Sequence, residues 1–263
     1  MPTALFDLDG PHFLPTALAR GPWSPDALHG GPPAALLARA VERFEGGEAF
    51  FVARLTVELL RPVPVEPLEL SVRLVRPGRK VQLVEATLRA GAKDVARATG
   101  LRIRQGELSI PTGLPHDGAR VEPPEQGEPL DSSRGFYDGF NNHGVEHRFV
   151  RGAFGTPGPA TDWIRLKAPL LDGEETSPLC RVCALADFGN GISGVLPPDG
   201  FTYINPDLTV SLHRYPRGEW ICLDAHTRVE PNGVGLAESR LFDVEGPIGR
   251  AVQCLILEAR AAG

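Results

Sequence analysis

The chain has 263 residues, of which 42% are hydrophobic, so it can bury one large or two moderate cores. Its formal net charge of −6 and its lack of a long basic run argue against nucleic acid and anionic membranes as partners, since both need a positive surface. It shows no run approaching the roughly 20 apolar residues of a membrane span and no signal-peptide pattern, and its four cysteines do not suggest a disulfide scaffold, so we expect a cytoplasmic protein.

The residues before the first long polar stretch predict one helix among six strands. Apolar side chains from Leu36 to Phe44 recur at helical spacing, which predicts a helix over 32–44. Two prolines suit its first turn, and Gly46-Gly47 ends it. Strand-like runs lie at 3–8, 12–19, 50–60, 67–76, 80–90 and 94–104.

A stretch rich in Pro, Gly, Glu, Asp and Ser, residues 105–142, separates this pattern from a second one and predicts a long surface connection. The second pattern has the same order. A helix is predicted over 177–194, and strand-like runs lie at 145–151, 161–168, 201–214, 219–230, 233–244 and 247–260.

Each half is therefore expected to be β-β-α-β-β-β-β, an α+β unit with one long helix and a mostly antiparallel sheet wrapped around it. The predicted domains are an N-terminal unit over 1–104, a linker over 105–142 and a C-terminal unit over 143–263. The βαβα alternation of a doubly wound fold is found in neither half.

The two halves also resemble each other residue by residue. LTVELLRP begins at Leu55 and LTVSLHRY begins at Leu208, an offset of 153, and the same offset without a gap pairs Val81 with Val234. The match continues as far as Ile256. A self-match of this length indicates one structural unit used twice.

Five motifs, in this order and spacing, are similar to those of one enzyme family. They are HGGPPAALLARA at 29–40, LTVELLRPV at 55–63, ALADFGNG at 184–191, INPDLTVSLHR at 204–214 and AVQCLIL at 251–257. The chain resembles the double-hotdog acyl-CoA thioesterases, the acyl-CoA thioesterase II-like branch of the thioesterase superfamily. Each motif is short, and the order of the set carries the resemblance.

The resemblance implies a tandem, or double, hotdog fold with one continuous sheet, an acyl tunnel between helix and sheet, and association into a homo-oligomer. It implies hydrolysis of acyl-CoA thioesters to free acid and CoA without a cofactor. The family's catalytic aspartate falls on Asp187 and its glutamine on Gln253. The family's hydroxyl position falls on Asn205, which departs from the usual threonine but still offers a donor and an acceptor.

The residues themselves favour the same three positions, although each has an ordinary explanation. Asp187 follows a markedly apolar helix segment and could be a surface or capping residue. At the 153 offset, however, Asn205 replaces Val52 and Gln253 replaces Gly100. Polar side chains thus occupy two core-strand positions in the second copy and not in the first. Burying each without a hydrogen-bond partner costs about 1–3 kcal/mol, so their presence indicates a function in the second copy.

These residue types suit thioester hydrolysis. The thiolate is a good leaving group, so the enzyme must mainly deliver a water and stabilise the tetrahedral oxyanion. Asp187 is expected to be the general base, with Asn205 and Gln253 orienting the water. Backbone N–H groups near a helix start can hold the oxyanion. Because only one such trio exists, we expect one active site per chain.

The segment His29-Gly30-Gly31 before the first helix has two interpretations. Glycine and proline there can serve only the turn and the first helical turn. The same residues can also let a ligand approach the backbone closely. Both can hold.

Other motifs carry less weight. FDLDG at 6–10 resembles a phosphatase nucleophile motif, but it lacks the preceding parallel strand and the later partner residues. Cys180-x-x-Cys183 has no second pair, so small core residues are favoured over a metal site, and none is predicted. A Gly-x-Ser-x-Gly elbow and a phosphate-binding loop are both missing.

Two other functions stay open on the same fold. One is a non-catalytic acyl or acyl-CoA binding protein, which the Asn205 departure makes plausible. The other is a hotdog enoyl-thioester hydratase, a class that usually pairs an aspartate with a histidine. Within twenty residues of Asp187 the sequence has no histidine, although one can approach in space.

Overall fold

The computed structural model describes residues 3–22, 24–113, 118–130, 139–197 and 200–260. The first half contains β1 (Phe6–Asp9), β2 (His12–Pro15), α1 (Gly31–Arg43), β3 (Phe50–Leu59), β4 (Leu68–Arg76), β5 (Val81–Ala90) and β6 (Lys93–Arg104). The second half contains β7 (Glu128–Pro129), β8 (Val145–Arg151), β9 (Ala160–Leu166), α2 (Pro178–Ala186), α3 (Gly189–Ile192), β10 (Phe201–Ile204), β11 (Asp207–Leu212), β12 (Ile221–Val229), β13 (Val234–Asp243) and β14 (Gly246–Ala259).

The strand boundaries reproduce the sequence repeat. Strands β4 and β12 are related by the 153-residue offset at both ends, and so are β5 and β13. Strands β6 and β14 begin at the same offset, and β14 runs two residues further. The halves are therefore two copies of one structural unit.

All the strands belong to one antiparallel sheet, in the order β1-β2-β4-β5-β6-β3-β11-β14-β13-β12-β9-β8-β7, with β10 also pairing with β14. Strands β3 and β11 join the halves, and there Thr56 lies opposite Thr209 with their side-chain oxygens 3.3 Å apart. Since Thr209 is the repeat partner of Thr56, an approximate twofold axis passes between them. The continuous sheet agrees with the expectation from the sequence.

The helices cover one face of this sheet and also contact each other. Helix α1 packs on β3 to β6, and α2 packs on β9, β11 and β12. The two helices approach closely because Gly31 has no side chain, and a Cβ there would lie 2.1 Å from the carbonyl oxygen of Ala184. One hydrophobic core runs through both halves, and its helical members include Leu36, Leu37, Val41, Val182 and Leu185.

Four segments depart from the regular elements that the sequence predicts. The strand predicted over 12–19 ends as β2 at Pro15, and Ala17–Ala19 forms one 3-10 turn. The helix predicted over 177–194 is interrupted between α2 and α3, and the strand predicted over 201–214 is interrupted between β10 and β11. In the predicted linker, residues 114–117 and 131–138 lie outside the described ranges, while Glu128–Pro129 pairs with β8 and Phe140–Gly144 forms one π-helical turn. The domain boundaries stay a prediction.

In the described parts of the chain, none of the helices has the length and apolar character needed to cross a membrane.

Candidate active site

The break between α2 and α3 places Asp187 at the end of a buried helix. Ser177 caps the start of α2 by accepting a hydrogen bond from the backbone N–H of Cys180, and Pro178 occupies the first turn. Asp187 follows the last helical residue and is only 6% exposed. The carboxylate therefore needs partners inside the protein.

Two amide side chains from the sheet supply those partners. Asn205, between β10 and β11, donates from Nδ2 to Asp187 Oδ1 over 2.8 Å. Gln253 on β14 donates from Nε2 to the same oxygen over 3.2 Å and to the Asp187 carbonyl over 3.2 Å. The three residues singled out in the sequence thus lie in direct contact, and both amides hold the carboxylate itself.

Helix α3 fixes the orientation of both amides. The backbone N–H of Asn190 donates to Gln253 Oε1 over 3.0 Å, and Asn190 Nδ2 donates to Asn205 Oδ1 over 3.4 Å. Gly189 makes this approach possible, because a Cβ there would lie 2.8 Å from both Gln253 Oε1 and Ser239 Oγ. The start of α3 therefore lies in direct contact with the two amides.

The start of α1 closes the other side of the carboxylate. His29 Nδ1 lies 3.1 Å from Asp187 Oδ2 and 3.1 Å from the backbone N of Gly31. Gly30 packs against the same carboxylate oxygen, where a Cβ would come within 2.6 Å of Oδ2. The His29 ring packs against Phe140 and Phe188, with centroid distances of 5.1 and 4.6 Å.

Asp187 is held in its charged form. Burial raises the pKa of Asp187, but hydrogen bonding and charge from His29, together with the bonds from Asn205 and Gln253, outweigh burial and lower it overall. The carboxylate is therefore ionised at neutral pH and can accept a proton.

Asp187 faces a cavity of about 990 Å³ that lies where the two halves meet. Its buried end is formed by His29, Asp187, Phe188 and Ile192, and its open end by exposed side chains that include Leu60 and Ile204. Most of the wall is apolar. A cavity of this size, with a few convergent polar groups, is typical of a small-molecule site.

Other candidate chemistry lies elsewhere. Cys180 and Cys183 are buried, and burial raises the pKa of Cys180 to about 12, which keeps the thiol protonated. Among the described residues, His, Cys, Asp and Glu side chains form no group of three that could hold a metal ion. The FDLDG segment lies in the β1–β2 hairpin, where Asp7 and Asp9 are exposed.

Two residues of the site did not emerge from the sequence as candidates. His29 was noted only as part of a segment that forms a turn or lets a ligand approach the backbone, with no role for its side chain, and Asn190 was not singled out. The sequence repeat was the signal that could have identified His29. Two copies packed about an approximate twofold axis bring the start of α1, where His29 lies, towards the end of α2, where Asp187 lies. The absence of a histidine near Asp187 in sequence therefore does not argue against a histidine in the site.

Family models match most of the chain. A model of the acyl-CoA thioesterase C-terminal domain matches residues 117–257, and a model of the acyl-CoA thioesterase N-terminal domain matches residues 19–103. No curated protein is significantly similar to the chain.

Solved structures share the fold at low sequence identity. A putative thioesterase II from Thermobifida fusca YX is 17% identical, with a TM-score of 0.72 over 97% of this chain and 96% of that one. A protein of unknown function with a hot dog fold from Alicyclobacillus acidocaldarius is 17% identical, with a TM-score of 0.71 over the same shares. An acyl-CoA thioesterase II from Mycobacterium marinum is 16% identical, with a TM-score of 0.63 over 90% of this chain and 92% of that one. The tandem hotdog fold is thereby confirmed.

Proposed function

The chain belongs to the acyl-CoA thioesterase family, and from this premise we propose that Asp187 is the general base with which it hydrolyses acyl-CoA thioesters to free acid and CoA. One observation carries the assignment. Asp187 is a buried carboxylate, kept ionised by its neighbours, that lines the large cavity between the halves. General-base catalysis needs such a group within reach of a water.

The two carboxylate oxygens have different roles in this proposal. Oδ1 accepts from the amides of both Asn205 and Gln253, whereas His29 is the side chain that contacts Oδ2, so we place the water at the remaining acceptor position of Oδ2. Both polar groups of Gln253 are engaged in hydrogen bonds. Among the described residues, the carbonyl oxygen of Asn205 accepts only the 3.4 Å bond from Asn190, so it is the amide atom best able to accept a bond from the water.

The start of α1 supplies a candidate oxyanion site. Because Pro32 and Pro33 have no N–H, the first turn offers mainly the N–H groups of Gly30 and Gly31. Gly31 N–H points to His29 Nδ1, while no partner is found for Gly30 N–H among the described residues. Gly30 also lines the cavity. We assign Gly30 N–H to the developing negative charge on the thioester oxygen.

Hydrolysis then takes two steps. The water oxygen attacks the carbonyl carbon while its proton moves to Asp187, and the carbonyl π electrons move to the oxygen. The oxyanion collapses, the carbon–sulfur bond breaks, and the proton held by Asp187 passes to the thiolate. Free acid and CoA thiol leave, and the carboxylate is restored.

The test is the variant Asp187→Asn. Its Oδ1 can still accept from both amides, and its side chain has the same size and shape, so the surroundings are preserved. We expect kcat to fall by about 10³-fold, the range for losing a general base. Thiol release from a panel of acyl-CoAs measures it, with Asp94→Asn, an exposed residue outside the cavity, as the control. Unchanged turnover in Asp187→Asn would remove the assignment.

A second candidate reaction, hydration of an enoyl thioester, is favoured by the 3.1 Å contact between His29 and Asp187. The same assay separates the two, because hydration consumes the conjugated double bond without releasing thiol. Loss of enoyl absorbance without thiol release would favour hydration. Binding without either change would favour the acyl-CoA binding protein.

A further inference from the structure

The open end of the cavity carries two arginines, one from each half of the chain. Arg61 follows β3, and Arg260 follows β14. Both are exposed, and both line the cavity. Asp187, at the buried end, is the only carboxylate among the described lining residues. The mouth is therefore cationic in a protein whose net charge is −6.

Among the described residues, neither guanidinium has a partner. In the described ranges, no hydrogen bond or ion pair is found for the side chain of Arg61 or of Arg260, whereas Arg39, Arg97 and Arg214 are each paired with a carboxylate. The backbones of the two arginines are nevertheless fixed. Arg61 N–H donates to Val95 O over 3.3 Å, and Arg260 N–H donates to Gly200 O over 2.9 Å. The backbones of the two arginines are thus fixed, while their side chains have no neutralising partner in the described part of the chain.

The distance between these arginines and the Asp187 carboxylate can be compared with the length of a pantetheine arm. Arg260 follows the end of β14, the strand that carries Gln253, so at about 3.3 Å per residue the α-carbons of Gln253 and Arg260 are at most roughly 23 Å apart. An extended pantetheine arm has a length of this order, so its thioester can lie at Asp187 while its phosphate lies at the mouth.

Arg61 lies on the other side of the same mouth. The N–H of Leu59 donates to Pro206 O over 2.8 Å, which ties the end of β3 to the segment that carries Asn205. Arg260 lies near Tyr203, another lining residue. Burial raises the pKa of Tyr203, and the positive charge of Arg260 acts against that rise. Two cations flanking one opening can engage a phosphate group from both sides.

We propose that Arg61 and Arg260 bind the phosphate groups on the thiol half of the substrate, so that the enzyme selects phosphate-bearing pantetheine thioesters over uncharged ones. This proposal rests on the proposed function for the position of the thioester. The shared chemistry is a phosphate attached to a pantetheine arm, and its source is either CoA or the 4′-phosphopantetheine arm of a carrier protein.

The experiment compares thioesters that share one acyl group, chosen as the best of a panel from butanoyl to hexadecanoyl. The thiol halves are CoA, 3′-dephospho-CoA, 4′-phosphopantetheine and pantetheine. We expect Arg61→Gln and Arg260→Gln each to lower kcat/KM for the CoA thioester by about five-fold, chiefly through KM. Turnover of the pantetheine thioester is expected to stay unchanged, and the loss should shrink at high salt.

The matched control is Arg76→Gln, an exposed arginine at the end of β4 that does not line the cavity. It should leave every substrate unaffected. A loss shared by the 4′-phosphopantetheine thioester assigns the contact to the phosphate on the arm, which a carrier protein also supplies. A loss confined to the CoA thioester assigns it to the 3′-phosphate. Equal losses on all four thioesters, or no loss on any, would overturn the proposal.

Calorimetric titration of the Asp187→Asn protein with CoA and with pantetheine separates this proposal from the catalytic one. Tighter binding of CoA that is lost in the Arg61→Gln and Arg260→Gln variants supports the arginine site even if Asp187 proves not to be the base. Equal affinity for CoA and pantetheine contradicts the arginine site while leaving the role of Asp187 to its own test.

Discussion

Asp187 keeps a negative charge inside the protein because its neighbours offset the cost of burial. Burial favours the protonated acid, while three polar side chains favour the carboxylate, and the balance lowers the pKa of Asp187. Its ordinary value is about 3.9. Activity should therefore be lost only as the pH falls through a value below this, and it should persist in mildly acidic solution.

Removing one hydrogen-bond donor to Asp187 should raise the pH at which activity is lost on the acid side of the pH profile. In Gln253→Met the carboxylate loses the 3.2 Å bond from Nε2, so the pKa of Asp187 rises and kcat/KM begins to fall at a higher pH. Profiles of kcat/KM against pH for both proteins measure the shift, and circular dichroism checks that each stays folded. An acid limb at the same pH in both would show that Gln253 does not control the carboxylate.

Arg102 is a second buried charged residue, and its contacts stabilise the end of α1. It is fully buried on β6, and it donates to the carbonyl of Phe44 over 2.8 Å and to that of Glu45 over 3.1 Å. The rings of Phe44 and Phe50 lie 5.5 and 4.9 Å from the guanidinium carbon. The arginine thus satisfies carbonyls at the end of α1, where a positive charge is also favoured by the helix dipole.

Arg102→Leu should lower the free energy of unfolding by about 3 kcal/mol, because the part-buried carbonyls of Phe44 and Glu45 lose their donor and the packing of the guanidinium against two rings is lost. Urea unfolding measures the change. The matched control is Arg104→Leu on the same strand, where the arginine is exposed and should contribute less than about 1 kcal/mol. Equal effects from the two variants would contradict the capping role.

At the residue scale, the sequence predicted the three positions now found in contact, but not the roles of all their groups. Comparison of the two repeats identified Asn205 and Gln253 as polar replacements on core strands. It could not show that both amides hold the carboxylate, because that depends on the path of the chain around Gly189. His29 belongs to the other half, so only the twofold packing brings it to Asp187.

The elements follow the sequence closely except beside the site, in the predicted linker and after β2. The strand predicted over 80–90 is β5, Val81–Ala90, and the helix predicted over 32–44 is α1, Gly31–Arg43. The two long elements that proved discontinuous break at Asp187 and at Asn205-Pro206. Periodicity reports the burial of a regular element, so it does not register a break that tertiary contacts impose.

The close contact between α1 and α2 depends on Gly31, and a substitution there tests whether the fold needs it. In Gly31→Ala the new Cβ would lie 2.1 Å from the backbone oxygen of Ala184, so one helix must move. We expect a loss of at least about 2 kcal/mol in stability and a fall in kcat, because His29 and Gly30 move away from Asp187.

Gly191→Ala is the control for stability, since a Cβ there meets nothing within 4 Å. Thermal and urea unfolding of the two variants should differ clearly. If Gly31→Ala unfolds like the parent protein, the helices have room to adjust, and the close approach is not needed for the fold.

The whole molecule is a duplication in which the halves have diverged. At the positions that repeat Asn205 and Gln253, the first half has Val52 and Gly100. A Cβ on Gly100 would lie 2.2 Å from a methyl group of Val41, so this region is filled by packing. Tyr215 covers it further by accepting a hydrogen bond from the backbone N–H of Val52 over 2.9 Å.

This asymmetry predicts one ligand per chain. In a symmetric pair each half would supply a carboxylate and an amide, whereas here the first half supplies the start of α1 and the second half supplies the carboxylate and both amides. Calorimetric titration with a non-hydrolysable thioether analogue of acyl-CoA should give a stoichiometry of one per chain in the parent protein and in Asp187→Asn. A value of two would mean that the packed region around Gly100 opens to bind ligand, since the filled state leaves no room for an acyl group beside Val41.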